Sequence, residues 1–161
     1  MKRYRILFVC MGNICRSPAG EATLRKLVEE EDMQDQIEID SAGTIGFHTD
    51  SPPDPRMQKA AANRNIHTSG RARQVFLEDL DNFDRVLAMD NANLRDLQNL
   101  AQTPTQHYKI RAFCEYCLQY PDHKEVPDPY YGGSQGFELV LDLLEDGCRQ
   151  LLKEAIDAIE G

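Results

Sequence analysis

The chain has 161 residues, is 41% hydrophobic and 28% charged, and carries a formal net charge of −9. Its length suffices for one proper core, so a single domain over 1–161 is expected, and its acidic balance argues against nucleic acid as a partner. The basic start Met1-Lys2-Arg3-Tyr4-Arg5 is followed by an apolar run that stops at Gly12. Neither a signal peptide nor a membrane span is indicated, and a cytoplasmic monomer with no membrane partner is the expectation.

Periodicity and turn residues predict strands near 5–9, 37–41, 84–89 and 107–112, alternating with helices near 17–31, 55–64, 91–101 and 135–159. The first strand ends in Leu7-Phe8-Val9. Gly12 and Asn13 behind it tolerate positive φ, and Pro18 suits the first position of a helix. Asp54, ahead of Pro55-Arg56, and Asp90, after the third strand, read as helix N-caps. In the last helix Phe137, Val140, Leu141, Leu144, Cys148, Leu151, Leu152, Ala155 and Ile159 recur at helical spacing and must pack on the sheet. Such alternation means an α/β fold, a doubly wound four-stranded parallel sheet with helices on both faces. Sheets of this kind place ligands at the carboxyl ends of central strands.

Cys10-Met11-Gly12-Asn13-Ile14-Cys15-Arg16-Ser17-Pro18 lies at that end. Five residues between Cys10 and Arg16 let a tight loop fold around one anion, with backbone N–H groups aimed inward and the helix N-terminus adding to the field. A helix N-terminus and a neighbouring cation also favour the thiolate form of a cysteine. Cys10 is therefore a candidate nucleophile, Arg16 a planar fork for two phosphoryl oxygens, and Ser17 a hydroxyl donor to the sulfur. Asn13 reads as a residue that holds the loop. A nucleotide-binding P-loop is excluded, because no Gly-Lys-Ser/Thr ending is present. Arg71 and Arg73 are either ordinary surface charge or local attraction for an anion.

Cleaving a phosphate ester needs a proton for the leaving oxygen. Val126-Pro127-Asp128-Pro129-Tyr130-Tyr131-Gly132-Gly133 is a shaped loop, so Asp128 is the first candidate acid, with Tyr130 and Tyr131 as a partly apolar wall. Asp54 is the rival on the same grounds, but its position suits a cap better.

With these elements in view, the chain resembles the low-molecular-weight protein tyrosine phosphatases over nearly its whole length. The markers are the segment Leu7 to Pro18, Ile39-Asp40-Ser41-Ala42-Gly43-Thr44, Pro53-Asp54-Pro55-Arg56, Met89-Asp90-Asn91-Ala92-Asn93-Leu94 and Asp128-Pro129-Tyr130-Tyr131-Gly132. The resemblance implies Cys10 as nucleophile, Arg16 as phosphate clamp, and Asp128 as acid and then base for the water that cleaves phosphocysteine. It implies that Met11, Gly12, Asn13, Ile14, Cys15 and Ser17 belong to the phosphate-binding loop, that Ser41 supports it, and that Phe47, Tyr130 and Tyr131 wall the crevice for an aromatic ring. Tyrosine-phosphorylated proteins would be the partners, with phosphate or other oxyanions as product and inhibitors; no cofactor and no metal are implied. Two positions depart from the pattern. Gly70 stands where many animal members carry a bracing histidine, and Phe47 stands where tryptophan is frequent.

Five cysteines occur in the chain. The resemblance implies a reversible Cys10–Cys15 disulfide that protects the nucleophile, an inward packing role for Cys15 being the alternative. Cys114-Glu115-Tyr116-Cys117 is a C-x-x-C pair without a second pair to complete a zinc site. Two other functions share the loop: arsenate reduction on the same fold, and phosphotyrosine binding without turnover. The segment 70–89 holds no cysteine to relay oxidising equivalents, and both nucleophile and acid are retained, so ester cleavage is favoured.

Overall fold

The computed structural model describes residues 3–129 and 133–161. Its four strands, β1 (Tyr4–Cys10), β2 (Ile37–Gly43), β3 (Arg85–Ala88) and β4 (Ile110–Ala112), form one parallel sheet in the order β2-β1-β3-β4. β1 pairs with β2 from Tyr4 opposite Ile37 to Cys10 opposite Gly43, and on its other edge Ile6 to Val9 face Arg85 to Ala88. The chain runs outward in opposite directions from β1, so a crevice opens at its carboxyl end, where Cys10 is the last residue.

Strand period two divides β1 between two cores. Ile6, Phe8 and Cys10 join Leu24 and Val28 of α1 (Arg16–Glu30) and Leu141, Leu144 and Leu151 of α6 (Ser134–Glu160). Leu7 and Val9 face the opposite side, with Leu80 of α3 (Asp79–Asn82) and Leu97 of α4 (Asn91–Leu100). Each fully buried leucine of this kind contributes roughly 1.5–3 kcal/mol. The apolar stripe expected on α6 is buried from Phe137 to Ala155, while Ile159 packs at its edge.

The remaining elements are α2 (Pro55–Ala62), α5 (Pro104–Lys109) and a 3-10 turn (Phe113–Tyr116). The expected caps are present: the Asp54 side chain accepts from the Arg56 N–H, and Asp90 forms a reciprocal capping box with Asn93. One prediction is corrected. The strand expected over 107–112 is only Ile110–Ala112, because Thr103 and Gln106 form a capping box around Pro104 and start α5, which runs through Lys109. Among the described residues no helix is long and apolar enough to cross a membrane.

Candidate active site

Residues 10–16 turn sharply between β1 and α1, with Asn13 at φ 57°. The loop carbonyls are engaged from outside: Thr44 N–H donates to Cys10 O at 2.9 Å, Ile45 N–H to Met11 O at 3.1 Å, and Asp54 N–H to Ile14 O at 2.6 Å. Among the described residues the N–H groups of residues 12–15 donate to no protein acceptor. Outward carbonyls and uncommitted amides make a concave nest, the arrangement that binds an oxyanion. Gly43 is part of the construction. A Cβ there would stand 2.7 Å from Met11 O and 3.1 Å from Asn13 N, so only glycine lets β2 lie this close to the loop.

Two donors converge on the buried Cys10 sulfur. The Ser17 hydroxyl lies 3.0 Å from it and the Ser17 N–H 3.4 Å. The Asn13 amide donates to Ser17 Oγ at 2.8 Å, which occupies an oxygen lone pair; the hydroxyl proton then faces two acceptors, the Cys10 sulfur at 3.0 Å and the Ala42 carbonyl at 3.4 Å, of which the sulfur is the nearer. Asn13 is itself fixed through its carbonyl oxygen, which accepts from the Arg73 N–H at 2.9 Å. Both Asn13 and Ser17 therefore sit beneath the loop.

Arg16 is buried, its side chain 4% exposed, with Nη1 donating to Asp90 Oδ2 at 2.7 Å and to Val126 O at 3.0 Å. Its other terminal nitrogen is 3.7 Å from Asp128 Oδ2. Burial works against the guanidinium charge, but the Cys10 sulfur, Asp90 and Asp128 outweigh it and raise its pKa. A fixed cation beside the thiol results. Cys15 behaves in the opposite way: burial first, then the neighbouring Cys10 and Asp54, push its thiol up, so it stays protonated and does not compete as nucleophile.

The resulting crevice, about 230 Å³, is lined by Cys10, Met11, Gly12, Ile14, Cys15, Arg16, Ile45, Phe47, His48 and Asp128. Cys10, Arg16, Asp128 and Phe47 thus share one cavity. Phe47 is highly exposed at its rim and meets His48 edge to face at 4.9 Å. Tyr130 and Tyr131, expected as further wall, lie outside the described residues.

One expectation is amended and two open points are answered. Ser41 makes no direct bond to the loop; its hydroxyl donates to Glu21 at 2.7 Å, and it shares with Asn13, Glu21 and Gly70 a small polar cavity of about 60 Å³. Gly70 sits at φ +86° with open space where a side chain would stand. The brace comes instead from the Arg73 backbone, whose carbonyl also accepts from Gly43 N–H at 2.8 Å. Arg73 and Arg71 do not line the crevice: the Arg73 guanidinium binds Asp40 and Asp79, and Arg71 donates to the Asp50 carbonyl. Missing from the sequence expectations were Ile45 and His48 as lining, and Asp90 and the Val126 carbonyl as the seat of Arg16. Asp90 had a visible role as a cap, which hid its second one.

A thiol and an arginine folded around an oxyanion nest, at the carboxyl end of a central parallel strand, define a phosphatase-like loop on a doubly wound sheet. The family model for low molecular weight phosphotyrosine protein phosphatase matches residues 5–159. A Synechocystis protein that carries this family's name is 47% identical over 150 residues, 92% of this chain and 94% of its own. The low molecular weight phosphotyrosine protein phosphatase of Rattus norvegicus is 40% identical over 92% of this chain and 94% of its own. The crystal structure of a protein tyrosine phosphatase from Entamoeba histolytica, with Hepes in its active site, superposes with a TM-score of 0.93 at 38% identity, covering 97% of this chain and 99% of that one. The chain belongs to the low molecular weight phosphotyrosine protein phosphatase family, a family of cysteine-dependent hydrolases.

Proposed function

We propose that the protein hydrolyses phosphotyrosine in proteins, and small aryl phosphates, through a phosphocysteine at Cys10. The observation that carries this reading is the convergence of Cys10, Arg16 and Asp128 on one crevice whose rim is apolar. In the first step the Cys10 thiolate attacks phosphorus in line with the phenolic oxygen. Arg16 and the loop amides hold the equatorial oxygens as charge shifts onto them, while Asp128 gives its proton to the departing phenolate. The P–O bond breaks as the S–P bond forms. Asp128, now a carboxylate, takes a proton from the water that attacks the phosphocysteine, and sulfur leaves as a thiolate stabilised by the Ser17 hydroxyl and N–H. Met11, Ile45 and Phe47 supply apolar surface for the ring. Arsenate reduction finds less support, since among the described residues no third cysteine lines the crevice to relay electrons.

The test offers the purified chain an aryl phosphate and, separately, arsenate with a thiol reductant. Ester cleavage unaffected by a chelator and abolished by Cys10→Ser is expected. Asp128→Asn should slow cleavage most for poor leaving groups, because activated phenolates need little protonation. Arsenate reduction without ester cleavage, or an equal loss across leaving groups, would overturn the assignment.

A further inference from the structure

Away from the crevice, Cys114 lies on the 3-10 turn that follows β4, and Cys117 caps the end of that turn. The Cys117 N–H donates to the Cys114 carbonyl at 3.1 Å. A closed turn of this kind keeps its first and fourth Cα atoms within about 7 Å, which overlaps the roughly 4.4–6.8 Å that a disulfide spans. Both cysteines are free thiols.

The two sulfurs occupy different settings. Cys117 is buried in a notch that α6 provides at Gly147, where an added Cβ would meet the Phe113 ring at 2.4 Å and the Cys117 sulfur at 3.2 Å. The turn is pinned there by Gln119 N–H to Asp146 at 2.9 Å and by the Tyr116 hydroxyl to Glu154 at 2.7 Å. Cys114 is only half-buried. The Cys117 thiol donates to the Leu143 carbonyl at 3.4 Å. The neighbouring Cys117 thiol holds Cys114 below the ordinary thiol range, against its partial burial, while Cys114 and burial push Cys117 up. A half-buried, more acidic sulfur three residues from a buried, less acidic one is the asymmetry of C-x-x-C dithiols that react with oxidants. No cluster of three or more metal-ligating side chains occurs among the described residues.

We propose that Cys114 and Cys117 are a second oxidation site, distinct from the crevice, which a small peroxide converts into an intramolecular disulfide. The Cys114 thiolate attacks one peroxide oxygen; the O–O bond breaks, hydroxide leaves and takes up a proton as water, and a sulfenic acid remains on Cys114. The Cys117 sulfur then attacks that sulfur. The S–S bond forms, the S–O bond breaks, and the oxygen departs as a second water carrying the Cys117 proton. Two thiols lose two electrons and one peroxide gains them. The absence of a side chain at Gly147 is what admits the Cys117 sulfur against the helix.

The readout is convenient, because Arg111 and Lys124 bound one tryptic peptide, 112–124, that contains both cysteines. The full reduced chain and its Cys10→Ser variant are treated with hydrogen peroxide, alkylated, digested and weighed. The peptide should lose both alkyl groups and two hydrogens, equally in the two proteins. Retention of both alkylations while the Cys10–Cys15 peptide oxidises would overturn the proposal, as would over-oxidised Cys114 beside an alkylated Cys117. In Cys114→Ser, whose position is half-exposed and tolerant, Cys117 should stay alkylatable; its oxidation at the original rate would also refute the order of attack. In Cys117→Ser, Cys114 should accumulate as a sulfenic acid trapped by dimedone.

Discussion

Asp90 joins the fold to the chemistry, and its two oxygens do different work. Oδ1 accepts from the Asn93 N–H at 2.8 Å and caps α4; Oδ2 accepts from Arg16 at 2.7 Å. Asp90→Asn keeps a good cap, since asparagine and aspartate are near equals there, but removes the charge that faces the buried guanidinium. A hydrogen bond to a charged group contributes about 1.5–3 kcal/mol, and Asp90 is about one-fifth exposed, so the lower part of that range applies. Asp90→Asn should cost about 2 kcal/mol of stability. Asp90→Ala loses the cap as well and should cost about 1 kcal/mol more. Val126 O still holds the same nitrogen in both variants, so Arg16 is loosened rather than released. If about 1.5–3 kcal/mol of transition-state stabilisation depends on its orientation, kcat/KM for an aryl phosphate falls roughly ten- to a hundredfold. Urea denaturation gives the first quantity and steady-state kinetics the second. Equal destabilisation by asparagine and alanine, or kcat/KM within twofold of the parent in Asp90→Ala, would refute the division of labour.

Gly43→Ala puts a methyl 2.7 Å from loop backbone, so stability should fall by about 1–3 kcal/mol and kcat/KM more than tenfold; a loss of stability with kcat/KM unchanged would show that the contact is structural only. The Thr44 hydroxyl is buried without a partner among the described residues, so Thr44→Val should be neutral or stabilising by about 1 kcal/mol on denaturation, and a clear loss of stability would contradict this. Asp54 is held below the usual carboxyl range: burial opposes its charge, but bonds from the Arg56 side chain and backbone prevail. Its folded pKa thus lies below the unfolded one, so its stabilisation is complete above about pH 4–5 and is lost as pH falls through the folded value. Asp54→Asn, which preserves the cap, should flatten the acid limb of the stability–pH curve, and an unchanged limb would count against the ion pair.

The elements that local rules govern were readable in advance. The Cys10 loop and the stripe on α6 follow from turn residues and helical spacing, and the residues just after Asp54 and Asp90 mark both as caps; α1 begins at Arg16, so Pro18 takes its third position rather than the first. Residues 104–109 follow a local rule too: Thr103-Pro104 with Gln106 three residues after the cap is a helix start, and the strand is left with Ile110–Ala112. What no local pattern carries is contact across the fold. Arg16 and Val126 are 110 residues apart, Asn13 and Arg73 are 60 apart, and the partners meet only once the sheet order has brought β2, β3 and β4 with the segments that follow them around the end of β1.

Arg73 shows why a position that looks like a lost brace need not weaken the loop. A side-chain brace at Gly70 would hold Asn13 from across the polar cavity; here a backbone N–H does so directly, at 2.9 Å. A backbone donor is only as fixed as its residue, and Arg73 is fixed three ways: its carbonyl accepts from Gly43, and its guanidinium bonds Asp40 and Asp79. Those carboxylates raise the arginine pKa despite burial and consume its charge. The residue therefore supports the loop without contributing a field to the crevice. With a net charge of −9 the protein as a whole repels a dianionic substrate, so attraction must come from groups in contact with it, the loop amides and the buried Arg16. Short-range, preorganised donors of this kind act where a phosphoryl group has already entered. That places discrimination in the fit of the nest rather than in long-range steering.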